Sequence, residues 1–169
     1  IFVYYHHQSK NHLEQESNNM KKFLAIALVA VLAMTAVFAN GSSESASEIK
    51  IGFIGPLTGD YANYGTLCRQ AVEMAIDECN AKGGINGSTV KLVAEDSEGD
   101  PNKALAAMEK LANTDKVCAV VGPVLTGEAF SVGPVACELG VLAVTPSASH
   151  KDVTNQGDYI FRTTPSDGL

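Results

Sequence analysis

The sequence predicts an α/β fold, a doubly wound and mostly parallel sheet. Two observations carry this. Short apolar runs alternate along the chain with helical patterns: IKIGFIG, TVKLVAED, VCAVVG, VLAVT and DYIFRTT are separated by segments with apolar residues at helical spacing. One run, VCAVVG, is apolar throughout, as in a parallel strand covered on both faces. The chain has 169 residues, enough for about one domain. It is 46% hydrophobic, with six Phe, five Tyr and no Trp, which supports a packed core and argues against disorder. The net charge of −7 comes without a basic cluster, so nucleic acid is excluded as a partner.

The elements follow in order. Ile49 to Gly55 is the first strand, ending in Gly-Pro, and the Gly-rich loop PLTGDYANYG follows. Thr66 to Lys82 is the first helix. Leu67, Ala71 and Ala75, with Cys68, Val72, Ile76 and Cys79, give it stripes suited to packing on a sheet. KGGINGS stops it, with Gly83 as a left-handed C-cap and Asn86-Gly87 as a tight turn. Thr89 to Asp96 is the second strand. Asp100 is a good N-cap and Pro101 suits the first helical position of the second helix, whose buried face is marked by Leu105, Met108 and Leu111. Val117 to Gly122 is the third strand. The third helix lies within PVLTGEAFSVGPVACELG and ends near Gly140, with a kink or break expected at Pro134. VLAVT is the fourth strand and DYIFRTT the fifth. No internal repeat is visible.

The first part of the chain reads differently. Residues 1–19 show no period and are expected to be an upstream leader outside the translated product. Met20 opens MKKFLAIALVAVLAMTAVFAN, with Lys21 and Lys22, an apolar stretch and small residues at Val37-Phe-Ala39. This is the pattern of a secretory signal peptide over residues 20–39, cleaved after Ala39. The apolar run of roughly 17 residues is at the lower limit for spanning a bilayer. Residues 40–48 form a flexible mature N-terminus and residues 49–169 the folded domain. The first cysteine, Cys68, is far from the cleavage site, so no lipid anchor is expected, and a periplasmic product is. Cys68, Cys79, Cys118 and Cys137 lack CxxC spacing and a nearby His partner, and they read as small buried hydrophobes.

Open α/β sheets bind ligands at the carboxyl ends of their strands. Those ends are GPLTGDYANYG, EDSEGD, GPVLTG and TPSASH. A dinucleotide site is disfavoured: strand one does not end in GxGxxG, and Asp96 lies about forty residues beyond the glycines instead of about twenty. Calcium is disfavoured because Gly99 and Pro101 break the EF-hand order and Ala107 takes the place of the twelfth-position Glu. A serine hydrolase is disfavoured because Ser147, Ser149 and His150 lack a GxSxG elbow and are sequence neighbours on one loop. Binding is left. Thr126 opens the third helix, where its hydroxyl and nearby backbone N–H groups suit a carboxylate. Thr145, Ser147 and Ser149 make a wall of hydroxyls and carbonyl oxygens suited to an ammonium group. Each residue alone also fits ordinary capping or turn-making, and their combination points to a zwitterion cradle.

The chain after Lys50 resembles the leucine/isoleucine/valine-binding proteins, type I periplasmic solute-binding proteins of ABC importers. The resemblance is carried by IKIGFIGPLTGDYANYG, NAKGGINGSTVKL with the acidic segment before Pro101, VVGPVLTGEAFSVGPVACELGVLAVTPSAS and the final FRTTPSD. It implies two lobes closing on an amino acid, most naturally a branched-chain one, which is passed to the permease subunits of the importer. It implies that Thr126 binds the ligand carboxylate. Ser147, through its carbonyl, and Ser149, through its hydroxyl, would hold the α-ammonium, and Tyr64 would line the side chain. No cofactor, no metal and no enzymatic activity are implied, and a monomer is expected. Residues 49–169 then make up only a first lobe, truncated, and an acid from the second lobe would complete the ammonium site. Gly127 and Glu128 stand where the family often has further hydroxyls, which leaves an amide or urea solute open. A sensory domain of a signalling receptor is the alternative, since the same lobe serves both.

Overall fold

The structure is a computed structural model and describes residues 48–168. The leader, the signal peptide and its cleavage site lie outside the described residues. Five strands form one sheet: β1 (Ile49–Gly55), β2 (Val90–Asp96), β3 (Ala119–Val121), β4 (Leu142–Thr145) and β5 (Ile160–Arg162). Their order is β2-β1-β3-β4-β5 and every pairing is parallel. The helices are α1 (Ala62–Ala81), α2 (Pro101–Lys110) and α3 (Thr126–Leu139). A single turn at Val153–Asn155 leads into β5. The predicted class and the order of elements are those observed.

The larger core cluster lies on one side of the sheet. Ile54, Val120 and Ala143 point from β1, β3 and β4 towards Ala104, Met108 and Leu111 of the second helical segment and Val132 and Ala136 of α3, all buried. Asp100 caps α2 as expected, its carboxylate accepting the N–H groups of Asn102 at 2.7 Å and Lys103 at 3.1 Å, with Pro101 at the first helical position. The helix then relaxes into a π-helical turn over Leu111–Asp115 that ends at left-handed Lys116. The buried face of α2 runs through Ala104, Ala107 and Met108, while Leu105 is half-buried. Pro134 lies inside α3, which runs unbroken from Thr126 to Leu139, and the proline is exposed.

Among the described residues, the other side of the sheet carries α1 as its one helix. Its expected packing stripe is half open: Leu67 is 67% exposed, and Cys68, Val72, Ile76 and Cys79 are half-buried. They line an apolar groove of about 500 Å³ whose floor includes Ile51 of β1 and Val121 of β3. The expectation of four buried cysteines is therefore corrected. All four are free thiols, three are half-buried, and Cys118 is exposed because β3 begins one residue after it. Burial raises the pKa of the Cys68 thiol.

Helix α1 begins four residues before the predicted Thr66, with no side-chain cap at Tyr61. Gly65, which reads as a loop residue, is in fact its buried point of closest approach. A Cβ there would lie 1.9 Å from the Pro56 carbonyl oxygen. The end of the helix follows expectation: Gly83 has φ +97 and the Gly84 N–H bonds the Cys79 carbonyl at 3.0 Å. Asn86 and Gly87, both at positive φ, close the tight turn between Ile85 and Ser88.

Gly→Ala ordinarily stabilises a helix. Gly65→Ala is expected to destabilise by about 2 kcal/mol or more, because backbone at Pro56 must move. A chemical denaturation midpoint equal to or above wild type would show that the contact is not tight.

Candidate functional site

The strand order places a switch point between β1 and β3. From β1 the chain winds outward to β2, and from β3 it winds the opposite way to β4 and β5. The loops leaving the carboxyl ends of β1 and β3 therefore diverge and leave a crevice, the place where such sheets take ligands. Thr126 stands there, as the first residue of α3. It is half-buried, and its hydroxyl has no partner among the described residues. The first N–H groups of α3 have no intrahelical acceptor, and the helix dipole adds positive potential.

The loop after β4 lies next to it, since Val121 of β3 pairs with Val144 of β4. Ser147 is half-buried, and its carbonyl accepts no hydrogen bond among the described residues. Thr145 does not belong to the exposed wall that the sequence suggests. It is fully buried, and its hydroxyl accepts the Ala148 N–H at 3.0 Å and the Ser147 N–H at 3.4 Å, which folds the turn. Ser149 is also engaged: its hydroxyl donates to Asp167 Oδ2 at 2.8 Å, and its carbonyl accepts the Asp167 N–H and Arg162 Nη1. His150 bonds neither serine. Its Nδ1 accepts the Asp152 N–H at 3.2 Å, and its ring meets Phe130 of α3 edge-on at 5.2 Å.

Tyr64 is 62% exposed on the first turn of α1. Sequence reading passed over Tyr61. Its ring and the Leu125 side chain both lie against Gly99, at 3.1 Å and 3.5 Å from the position of a Cβ on that glycine. An aromatic and a leucine thus gather at the ends of β1 and β3 beside Thr126. The signal available in the sequence was only that both residues fall in loops after strands.

Two carboxylates organise the loops. Asp96, at the end of β2, accepts the Leu57 N–H at 2.7 Å, the Thr58 N–H and hydroxyl at 3.3 and 2.6 Å, and the Glu98 N–H at 2.8 Å. Burial acts to raise its pKa, but the Thr58 hydroxyl and the three backbone N–H groups outweigh it, and the carboxyl lies below its ordinary value. Glu128 is fully buried at the third position of α3. Burial raises its pKa against hydrogen bonds from Ser97, Leu125 and Val124, and the charge of Asp96 adds to the rise. Among the described residues, neither group is in an ion pair, and no cluster of three metal-ligating side chains occurs.

Residues 48–168 match the family model described as periplasmic binding protein. The chain belongs to that family. Among curated relatives, the Leu/Ile/Val-binding protein BraC3 of Rhizobium johnstonii is 40% identical over 136 residues, covering 80% of this chain and 35% of that protein. Among solved structures, the branched-chain amino acid transporter substrate binding protein LivJ from Streptococcus pneumoniae, in complex with isoleucine, superposes with a TM-score of 0.71 at 35% identity. The match covers 73% of this chain and 35% of that one. A solute binding protein of an R. palustris ABC transporter, in complex with 4-hydroxybenzoate, gives a TM-score of 0.61 at 32% identity, covering 71% and 32%. The chain spans about a third of the length of these relatives.

The Asp96 carboxyl has a folded-state pKa below its unfolded value of about 3.9. Its stabilisation is therefore present above that value and lost as pH falls through the folded one. Asp96→Asn is expected to cost stability at neutral pH, with the gap from wild type narrowing below about pH 4. Denaturant titrations between about pH 7 and about pH 3 measure this, and a gap independent of pH would remove the ionised carboxylate from the account.

Proposed function

We propose that this protein is the extracytoplasmic solute receptor of an ABC importer and that it takes a small carboxylate, best matched by a branched-chain amino acid. The observation that carries the reading is Thr126, with an unengaged hydroxyl on the first turn of α3 at the switch point, beside the open carbonyl of Ser147. Thr126 and the first N–H groups of α3 bind the carboxylate. The Ser147 carbonyl and, after its hydroxyl leaves Asp167, Ser149 bind the ammonium. Tyr64 lines the side chain. Binding closes this lobe against a second one, and the closed form is what the permease subunits recognise. Delivery then needs no bond-breaking step.

Export follows the same reading. Residues 20–39 serve as the signal peptide, and Asn40 begins the mature periplasmic protein, with residues 49–169 as part of the first lobe. The likeness to a 4-hydroxybenzoate-bound protein supports a second reading, an aromatic carboxylate. That solute shares the carboxylate with isoleucine and lacks the ammonium, so the two readings part at Ser147 and Ser149.

The test is a thermal-shift and calorimetric screen of the full-length protein with L-leucine, L-isoleucine, L-valine and 4-hydroxybenzoate. Thr126→Val is expected to weaken the bound solute roughly 10- to 100-fold, the size of a lost hydrogen bond to a charged group. Unchanged affinity in that variant would remove Thr126 from the site.

A further inference from the structure

One buried side chain joins the loops that build the crevice. Glu128 Oε2 accepts the Leu125 N–H at 3.1 Å, and Oε1 accepts the Ser97 hydroxyl at 2.5 Å. Ser97 is itself fully buried. Its N–H donates to the Gly55 carbonyl at 3.0 Å, and its carbonyl accepts the Asp100 N–H at 2.9 Å. A continuous line of hydrogen bonds therefore runs from the last residue of β1, through the end of β2, to the residue just before Thr126.

Helix capping alone does not explain this arrangement. A glutamate at the third helical position can accept the cap N–H while its carboxylate stays in water. Here the carboxyl is buried with no cationic partner among the described residues, which is costly. What burial adds is the bridge to Ser97. The other half of a capping box is absent, because Leu125 at the N-cap has no side-chain acceptor. Glu128 is thus the side chain that sets the start of α3 against the strand ends.

We propose that Glu128 is a positioning residue for solute binding. It fixes Leu125 and Thr126 relative to the ends of β1 and β2, and so holds the Thr126 hydroxyl where a carboxylate docks. It acts through Thr126 and does not touch the solute. The inference rests on the functional reading above. The charged neighbour that acts on Glu128 is Asp96, which is itself engaged by Leu57, Thr58 and Glu98. Gln at position 128 keeps an acceptor for the Leu125 N–H and a polar partner for Ser97, whereas Ala keeps neither.

The experiment uses the full-length protein, wild type and the variants Glu128→Ala, Glu128→Gln and Ser97→Ala. L-leucine is titrated calorimetrically, and hydrogen exchange at the Leu125 amide is followed without solute. Glu128→Ala is expected to weaken leucine binding about tenfold or more, and Glu128→Gln to restore it to within about threefold of wild type. Leu125 protection should fall in Glu128→Ala and return in Glu128→Gln. Wild-type affinity in Glu128→Ala, or equal losses in Ala and Gln, overturns the proposal. If Glu128→Ala does not fold, Ser97→Ala decides: it keeps the cap contact and removes the bridge, so a loss of about threefold or more supports the role and no loss refutes it. If wild type does not bind leucine, the functional reading has failed instead. Hydrogen exchange then decides alone, and unchanged Leu125 protection in Glu128→Ala overturns the positioning role.

Discussion

A parallel sheet whose first strand, β1, is flanked on both sides must grow outward from β1 in two directions, and that constraint fixes where everything else sits. Strand β2 flanks β1 on one side and β3 on the other. Right-handed crossovers then send α1 to one face, and α2 and α3 to the other. All the loops that follow strands are delivered to one edge, and only between β1 and β3 do they diverge. The base of that crevice is closed tightly: a Cβ on Gly122 would lie 2.3 Å from the Ile54 carbonyl oxygen, at a φ of +129 that suits only glycine. The end of β3 is thus pressed against β1, and Thr126 inherits its place from backbone packing before any ligand chemistry enters.

Holding loops at such an edge is an electrostatic problem as well as a steric one. The chain has a net charge of −7, and its candidate ligand is an anion at one end. Two acids, one at the end of β2 and one on the first turn of α3, are used inward. Asp96 is saturated by four donors from the β1–α1 loop and its own turn, and Glu128 is removed from solvent altogether. Their pKa shifts have opposite sign for the same reason that they sit differently. Asp96 has donors in excess of its burial, and Glu128 has burial in excess of its donors. The consequence for binding is that neither acid is presented to an incoming carboxylate, and the first turn of α3 keeps its positive potential.

Most of this architecture is legible in the sequence where local chemistry acts alone. Asp100-Pro101 and Lys82 to Ser88 predict their structures because capping and left-handed turns need particular residues at particular places. Legibility fails where a distant part of the chain decides. Gly65 looks like loop until the Pro56 carbonyl is seen against it, and Leu67 looks buried although no described element covers that part of α1. Thr145 looks like a ligand hydroxyl until the turn at Ser147–Ala148 claims it. At the site, Thr126 and Ser147 were readable from the rule about strand ends. Tyr61, and the inward course of Glu128, depended on the three-dimensional meeting of the β1, β2 and β3 loops, which no spacing encodes.

The two halves of the cradle are not equally ready. On the proposed function, the carboxylate half would draw on a threonine whose hydroxyl is unengaged among the described residues, the first helix N–H groups and a buried brace. The ammonium half has one open carbonyl, at Ser147, and a serine hydroxyl already donated to Asp167. Solved relatives hold isoleucine in one case and 4-hydroxybenzoate in another, and a carboxylate is the only charged group the two solutes share. A lobe that fixes the shared group rigidly and leaves the other end adjustable suits a family whose members differ in solute. On that proposal, selectivity among carboxylates would arise from the Ser147–Ser149 loop, because neutral donors on α3 accept any carboxylate that fits.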